Sequence, residues 1–313
     1  MTGSRMNESP KTPLKTPLNE DLRVFLAVAR KASFVAAANA LGMSPAYVTK
    51  RVTTLERTLG VTLLHRTTRR VAVTDQGERV MARAQRILDD LNELVEDLGV
   101  TRQAPRGSLR LCSSFGFGRQ VVAPAIADLA RHHPALQLRL DLFDRLVDIT
   151  AEGYDIDVRV GDTIAQHLIA RRLAPNRRIL CASPAYLARA GTPRGLADLA
   201  GHDCLVIKER DHPFGVWRLR SRHGEQIAKV SGPLSSNNGE VVARWAVEGH
   251  GIFLRSMWNV APLLAAGTLV QVLPDWYQEA NIWAVYPPRL DGSAKVRVCV
   301  EWLQQALAPA ASG

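Results

Sequence analysis

Two groups of side chains in this sequence are placed for chemistry with anions. The first is cationic. Residues 18–74 hold nine Lys and Arg (Arg23, Arg30, Lys31, Lys50, Arg51, Arg57, Arg66, Arg69 and Arg70) against three acids (Glu20, Asp21 and Glu56), a net of +6 in 57 residues. So basic a short stretch points to a polyanion; charge kept for solubility is the plain alternative. The second is the run Cys112-Ser113-Ser114-Phe115-Gly116-Phe117-Gly118-Arg119, between an expected strand and an expected helix. Backbone N–H groups and the helix dipole attract an anion at such a start, and Ser113 and Ser114 add hydroxyl donors. A capped turn without a ligand accounts for the same run. Gly116-x-Gly118 has two of the three glycines of a dinucleotide loop, so that fingerprint is incomplete. Further groups stand at strand ends and helix starts: Arg145, Phe214 in the loop Lys208–Phe214, Asn238 in Ser235–Gly239, and Arg255. Each also reads as surface or capping chemistry.

Catalytic constellations are missing. The sequence has no GxSxG, HExxH, P-loop or CxxC, and its four cysteines are scattered, so no enzyme, metal site or cofactor is expected. The 313 residues are 46% hydrophobic and 22% charged, an ordinary globular composition of two or three domains. No apolar run approaches the ~20 residues of a membrane span, and the N-terminus lacks the apolar segment of a secretory signal. With isolated thiols, this predicts a cytoplasmic protein.

The elements that position these groups follow from spacing. Leu22, Phe25, Leu26 and Ala29 form one apolar helix face. Ser33 caps a second helix, Phe34–Leu41, which Gly42 ends. Ser44 caps a third, with Pro45 at its first position, an inner stripe of Val48, Val52, Leu55 and Leu59, and Gly60 as its stop. This is a helix-turn-helix pattern, whose third helix enters the major groove by its N-terminal residues. Ser44, Thr49, Lys50 and Arg51 offer hydroxyls and cations there, and Pro45 and Ala46 apolar contacts. Ser33, at the preceding helix start, is counted with this surface. Arg66-Thr67-Thr68-Arg69-Arg70 reads as the basic tip of a wing that grips phosphates.

A helix from about Gln76 to Leu98 follows. Val80, Ala84, Ile87, Leu91, Leu94 and Leu98 repeat at steps of 4 and 3, a heptad seam that predicts a dimer helix. Packing on its own module is the alternative. Residues 77–98 carry three basic and six acidic groups, so the basic surface does not continue along this helix. Strands then alternate with helices. Leu109–Cys112, Leu136–Phe143, Ile156–Val160, Ile179–Ala182, Cys204–Ile207 and Gly251–Arg255 read as strands, and Val121–His132, Leu146–Glu152 and Glu240–Glu248 as helices. The rhythm predicts a largely parallel sheet in a two-lobed α/β domain with a ligand cleft.

The segment FLAVARKASFVAAANALGMSPAYVTKRVTTLERTLGVTLLHRTTRRVAVTDQGE resembles the DNA-binding module of LysR-type transcriptional regulators. Ser44-Pro45, Leu55-Glu56, Leu59-Gly60 and Leu64-His65-Arg66 occupy the places of the family pattern, with His65 where Phe is usual. The likeness extends through CASPAYLARAGTPRGLADL and WAVEGHGIFLRSMWNVAPLLAAGTLVQVLPDW, so it spans about residues 18–305. It implies an all-α winged helix-turn-helix, a long dimerisation linker helix and a periplasmic-binding-protein-like effector domain. The implied divisions are a tail (1–17), the DNA-binding domain (18–75), linker and hinge (76–106), the effector domain (107–305) and a second tail (306–313). The implied partners are operator DNA with an inverted repeat, a small effector and further copies of the chain, as homodimer or homotetramer. Residues 114–162 resemble a subgroup that controls tartrate and malate utilisation, implying a hydroxy-dicarboxylate effector. Ser113, Ser114, Phe115, Gly116, Arg145, Phe214, Asn238 and Arg255 would then line the cleft. The competing reading is a cytosolic solute-binding protein or nucleotide-dependent enzyme with a basic appendage.

Overall fold

The structure, a computed structural model, describes residues 16–66, 71–98, 105–208 and 213–308, without the side chains of 66 and 92–98. It divides into two compact units, 1–103 and 104–313. In the first, α1 (Asn19–Lys31), α2 (Phe34–Leu41) and α3 (Pro45–Leu59) surround a core of Val24, Phe25, Val28, Val48, Val52 and Leu55. The caps are those the spacing predicts. Ser33 Oγ accepts from Ala36 N, and Ser44 Oγ from Tyr47 N, both at 3.2 Å. Gly42 takes φ +65°, a left-handed conformation that costs glycine little.

Glu56 explains why an acid follows Leu55. Its Oε1 accepts from Leu63 N at 2.9 Å and Leu64 N at 3.2 Å, so it ties α3 to the strand that follows. That strand, β1 (Leu64–Arg66), pairs antiparallel with β2 (Val71–Val73). The module therefore is not all-α: the wing is a hairpin, because Leu64 and Val71–Val73 keep the period of two that a half-covered strand needs. His65 faces solvent, so its replacement of a usual Phe leaves the core untouched. The expected wing tip, Thr67, Thr68, Arg69 and Arg70, lies outside the described residues, as does the side chain of Arg66.

α4 (Asp75–Leu98) starts on Thr74, whose Oγ1 accepts from Gly77 N at 2.9 Å. A Cβ on Gly77 would stand 2.2 Å from Leu63 O, so only glycine lets α4 approach the hairpin this closely. Ala84 and Leu88 of α4 are buried in the helix-turn-helix core, with Val80 packed beside them. Arg30 of α1 donates to Gln85 of α4. This corrects the expected dimer seam at Val80 and Ala84. Ala84 is spent on its own module, Leu91 is half-buried, and Ile87, 49% exposed, faces outward. The side chains of Leu94 and Leu98 lie outside the described residues.

The second unit has two lobes. The first contains β3 (Gly107–Ser113), α5 (Phe115–Phe117), a π-turn over Gly118–Val122, α6 (Ala123–His132), β4 (Leu136–Leu142), β5 (Ile156–Val160) and β6 (Ile169–Ala174). Expected helix 146–152 is a set of turns, fixed by Asp148 Oδ1 accepting from Thr150 N and Ala151 N at 3.0 and 2.9 Å. The second lobe contains β7 (Arg177–Ala182), α7 (Pro184–Ala190), β8 (Val206–Ile207), β9 (Val216–Ser221), β10 (Gly224–Lys229), β11 (Ser235–Ser236), α8 (Gly239–Val247), β12 (Phe253–Ser256), α9 (Met257–Ala265), β13 (Val270–Gln271) and β14 (Tyr277–Glu279). The chain then returns to the first lobe as β15 (Ile282–Tyr286) and α10 (Ala294–Leu307).

The first-lobe sheet runs β4-β3-β5-β15-β6, with β3 parallel to β4 and β5, and β15 antiparallel to both neighbours. The second-lobe sheet, β10-β9-β14-β7-β12 with β13 also on β7, has antiparallel pairs throughout. Parallel pairing is thus found in the first three strands, and in the second lobe in the short β8–β11 pair and the Cys204–Ile252 bridge, which corrects the expected largely parallel sheet. The reason is the return of the chain: β15 comes back to the first lobe and must run against β5.

The chain crosses between lobes twice, at 175–176 and 280–281, and the crossings are fastened together. Ala280 N donates to Asn176 O at 3.0 Å, and Asn176 Nδ2 donates to Ala280 O at 2.7 Å.

One ion pair holds the first unit. Arg51 Nε lies 2.7 Å from Asp21 Oδ1, and Asp21 is 2% exposed. Removing the guanidinium leaves a buried carboxylate without its counter-charge. Arg51→Ala is expected to lose about 3 kcal/mol of stability in urea unfolding, and an unchanged midpoint would refute the structural role.

Candidate functional site

α3 separates two kinds of residue by its own rotation. Val48, Val52 and Leu55 face inward, and Ala46, Lys50, Thr53 and Arg57 follow one another along the exposed side at steps of 4, 3 and 4. Ser44, Pro45 and Tyr47 are also exposed at its start. Thr49 is half-buried, and its Oγ1 donates to Pro45 O at 2.9 Å. Lys50 keeps its ammonium in solvent. Arg51, one position on, is turned about 100° around the helix and does not join this surface. Its guanidinium is committed to Asp21 and lies 3.7 Å from Glu20. The expected DNA contact at Arg51 is therefore corrected to a structural ion pair. Tyr47, Thr53 and Arg57 complete the outward stripe. Sequence reasoning passed over Thr53 and Arg57 because it stopped at the helix start; their spacing from Lys50 was the available signal. The Tyr47 hydroxyl is hydrogen-bonded to Glu20, which raises its pKa above the ordinary phenol value.

The second unit has a cleft between its lobes, enclosing about 800 Å³ of non-atom space that includes open solvent. Ser114, Gly116, Asp144, Arg159, Gly161 and Thr163 line it from the first lobe. Arg178, Asn237, Gly239, Arg255, Ser256 and Trp258 line it from the second. Three of these are arginines taken almost wholly out of water: Arg159 is 9% exposed, Arg178 7% and Arg255 8%. Such charges persist only with hydrogen-bond partners or counter-charge. Arg159 donates Nε and Nη2 to Asp157 Oδ2 at 2.9 and 2.7 Å, and Nη1 to Thr163 O at 2.9 Å. Arg178 Nη1 donates to Gln278 Oε1 at 2.7 Å. Arg255 Nε donates to Asn259 Oδ1 at 2.8 Å, and its guanidinium lies 5.4 Å from the Trp258 ring centre.

Arg255 occupies space that two glycines leave open. A Cβ on Gly239 would meet its Nη1 at 2.0 Å, and one on Gly116 would meet its Nη2 at 3.3 Å. Gly116 belongs to the first lobe and Gly239 to the second, so the guanidinium bridges their approach. Trp258 adds an apolar wall, edge-on to Phe117 at 5.2 Å. Its buried Nε1 is without an acceptor among the described residues. Asp144 is the single acid of the described lining. Its Oδ1 accepts from Phe115 N at 3.1 Å and its Oδ2 from Asn238 Nδ2 at 3.0 Å.

Of the eight expected cleft residues, Ser114, Gly116 and Arg255 line it. The others do different work. Ser113 is fully buried and donates to Val158 O at 2.6 Å, because adjacent strand residues face opposite ways. Phe115 is exposed, and its N–H is taken by Asp144. Arg145 is outside the cleft, paired with Glu152 at 2.6 and 2.7 Å and stacked on Phe143. The hydrogen bond from Arg145 holds the Glu152 carboxyl below the ordinary range. Phe214 is exposed beside residues outside the described set and does not reach the lining. Asn238 caps α8 by accepting from Glu240 N and Val241 N at 3.0 and 3.1 Å, and it holds Asp144. Arg159 and Arg178 were missed. The signal was an arginine inside an apolar strand, Val158-Arg159-Val160 and Arg178-Ile179-Leu180, which demands a buried partner.

Three buried cysteines carry no reactive thiolate: burial pushes Cys181, Cys204 and Cys299 up to about 12. Among the described residues, no group of three or more His, Cys, Asp or Glu is placed to hold a metal ion, and no helix is long and apolar enough to cross a membrane.

Comparison with known proteins bears on both units. Residues 19–78 match the family "Bacterial regulatory helix-turn-helix protein, lysR family", and residues 102–308 match "LysR substrate binding domain". The chain is 59% identical over 292 residues to the HTH-type transcriptional regulator DmlR of Escherichia coli K12, covering 93% of this chain and 95% of that protein. It is 49% identical over 295 residues to the HTH-type transcriptional activator TtdR of the same strain, with the same coverage. Among solved structures it is similar to CrgA, a LysR-type transcriptional regulator from Neisseria meningitidis, at 31% identity and a TM-score of 0.58, over 94% of this chain and 99% of that one. A Corynebacterium glutamicum OxyR mutant shares the fold at 18% identity, with a TM-score of 0.66 over 95% of this chain and 94% of that one. With a helix-turn-helix in one unit, an arginine-lined cleft in the other and both family descriptions matched in order, the chain belongs to the LysR family and is a DNA-binding transcriptional regulator, not an enzyme.

Proposed function

We propose that this regulator responds to a small hydroxy-dicarboxylate, of the tartrate or malate kind, bound in the cleft of its second unit. The observation that carries the reading is the lining: three guanidiniums, each less than a tenth exposed, of which Arg159 is paired with the buried Asp157, beside one lining carboxylate, Asp144. A guanidinium grips a carboxylate through two parallel hydrogen bonds. The resemblance of residues 114–162 to regulators of tartrate and malate utilisation supports the same class.

A ligand that touches both lobes favours the conformers in which they meet, so the response is a shift of population rather than chemistry. Lys50, Thr49, Ser44, Pro45 and Ala46 serve as the reading surface, with Ser33 at its edge and Thr53 and Arg57 extending it. Arg66, Thr67, Thr68, Arg69 and Arg70 grip phosphates. The chain works in the cytoplasm as a homodimer or homotetramer, which presents two reading helices to two half-sites of an inverted repeat. Ile87 and Leu91 serve the contact between copies, with Leu94 and Leu98 continuing it. The division into tail, DNA-binding domain, linker and effector domain at 17, 75, 106 and 305 stands on this reading.

Lys50→Ala is expected to weaken operator binding about tenfold or more and to lower the salt slope by about one, with no change in melting temperature. An unaltered mobility-shift titration would sink the assigned surface. In a thermal-shift screen, L-tartrate, meso-tartrate or D-malate is expected to raise the melting temperature of the full chain by mass action. Monocarboxylates and sugars are expected to leave it alone. Arg178→Ala and Gly239→Ala should each suppress the shift, the second by driving a methyl group into the Arg255 guanidinium. A flat response across all dicarboxylates would refute the effector class.

A further inference from the structure

We propose that Ser256 donates its hydroxyl hydrogen to the anion in the cleft and so ties the bound ligand to the crossings between the lobes. The inference rests on the reading that the cleft takes a dicarboxylate, and names a neutral group that holds one of its oxygens. Ser256 ends β12 and lines the cleft, yet it is only 3% exposed. It stands opposite Arg178 in the β12–β7 register, so the two side chains lie on the same face of the sheet.

The hydroxyl is turned away from the use its position offers. Ser256 occupies the cap position of α9, the place from which Ser33, Ser44 and Ser183 each accept a hydrogen bond from an N–H of their own helices. Ser256 makes no such bond. Its Oγ instead accepts from Asn176 Nδ2 at 3.3 Å. A serine hydroxyl has one hydrogen to give besides its acceptor sites, and no acceptor among the described residues takes that of Ser256. A donor this far from water costs free energy until an acceptor is supplied, and the space beside it is the cleft. The ligand feature that satisfies it is a carboxylate oxygen, which makes a charge-assisted hydrogen bond.

Asn176 gives that contact its reach. It stands at the first crossing, and its side-chain amide donates both to Ser256 Oγ and to Ala280 O at the second crossing. Ala280 N returns a hydrogen bond to Asn176 O at 3.0 Å. The next residue, Asn281, is held by the first lobe: its O accepts from Gly161 N at 2.9 Å, and its Nδ2 donates to Asp162 Oδ1 at 3.0 Å. A ligand oxygen on Ser256 polarises the hydroxyl and makes its oxygen the stronger acceptor. At 3.3 Å the bond from Asn176 is longer than the usual length of about 2.9 Å, so it has room to tighten. Binding in the cleft thereby stiffens the crossings, and by reciprocity the crossings support binding.

The test is isothermal titration of the full-length protein with D-malate, joined to hydrogen exchange with and without it. Ser256→Ala removes the hydroxyl and adds no bulk. It is expected to weaken D-malate binding roughly 10- to 100-fold, the range of a hydrogen bond to a charged group, with the ligand-free melting temperature close to that of wild type. In wild type, saturating D-malate should slow exchange of the Ala280 amide, which donates to Asn176. In Ser256→Ala, at concentrations that again saturate the cleft, that slowing should be lost. Ser256→Cys fills the same space with a weaker donor and is the second variant, should the first fail to fold, with the same losses expected. Undiminished affinity in the variant overturns the proposal. A loss of affinity that leaves the slowing at Ala280 intact also overturns it, because the ligand is then not tied to the crossings through Ser256. A wild type that binds none of D-malate, L-tartrate and meso-tartrate refutes the dicarboxylate reading and this inference with it, a result distinct from normal binding by a Ser256 variant.

Discussion

The second unit is organised around guanidinium groups that cannot give up their charge. An arginine does not neutralise itself by losing a proton, so a buried one obliges the fold to surround it with acceptors, aromatic faces or anions. Arg159 takes a carboxylate and a backbone carbonyl, Arg178 a glutamine oxygen, and Arg255 an asparagine oxygen and the Trp258 ring. Gly116 and Gly239 lack side chains where Arg255 must run. The crossings at Asn176 and Ala280 fix the two lobes so that these groups share one cleft. The three guanidiniums thus line one cleft, each held by partners from its own surroundings.

The first unit applies the same economy to its own charges. Of two adjacent cations on α3, Arg51 is drawn inside to meet Asp21, and Lys50 is left in water. Glu56 is drawn in as well, where it satisfies two backbone donors at the start of the hairpin. These three groups together remove one positive and two negative charges from the surface, so the basic excess of the module is not diminished there. The outward residues of α3 stay exposed, while the internal ion pair joins α3 to α1. An exposed cation and a structural one are thus neighbours on one helix.

Both units depend on placement rather than on reactive groups. Burial pushes the thiols of Cys181, Cys204 and Cys299 up to about 12, and charged groups outside the cleft include local pairs such as Arg145 with Glu152. In the proposed response, the energy available for signalling is the difference in ligand affinity between arrangements of the lobes. Contacts that already span the cleft, Asp144 to Asn238 and Arg119 to Glu240, set the arrangement from which such a shift starts.

The sequence by itself determined the helix-turn-helix, its caps and stops, and the presence of a two-lobed α/β partner. Those features depend on interactions a few residues apart: a serine three positions before an N–H, a glycine after a helix, an apolar residue every third or fourth place. The tertiary structure decided everything that needed a direction in space. It turned Arg51 inward beside an outward Lys50, put Ser113 behind its strand and Ser114 in front, and spent Ala84 on its own core. It also chose Arg159 and Arg178 over Arg145 and Phe214, and made the second sheet antiparallel. Each outcome joins positions dozens to more than a hundred residues apart, as Asp144 joins Asn238 and Arg171 joins Asp291. Local spacing carries no record of such pairs; only the closing of the chain on itself places an arginine where it meets a partner or a cleft.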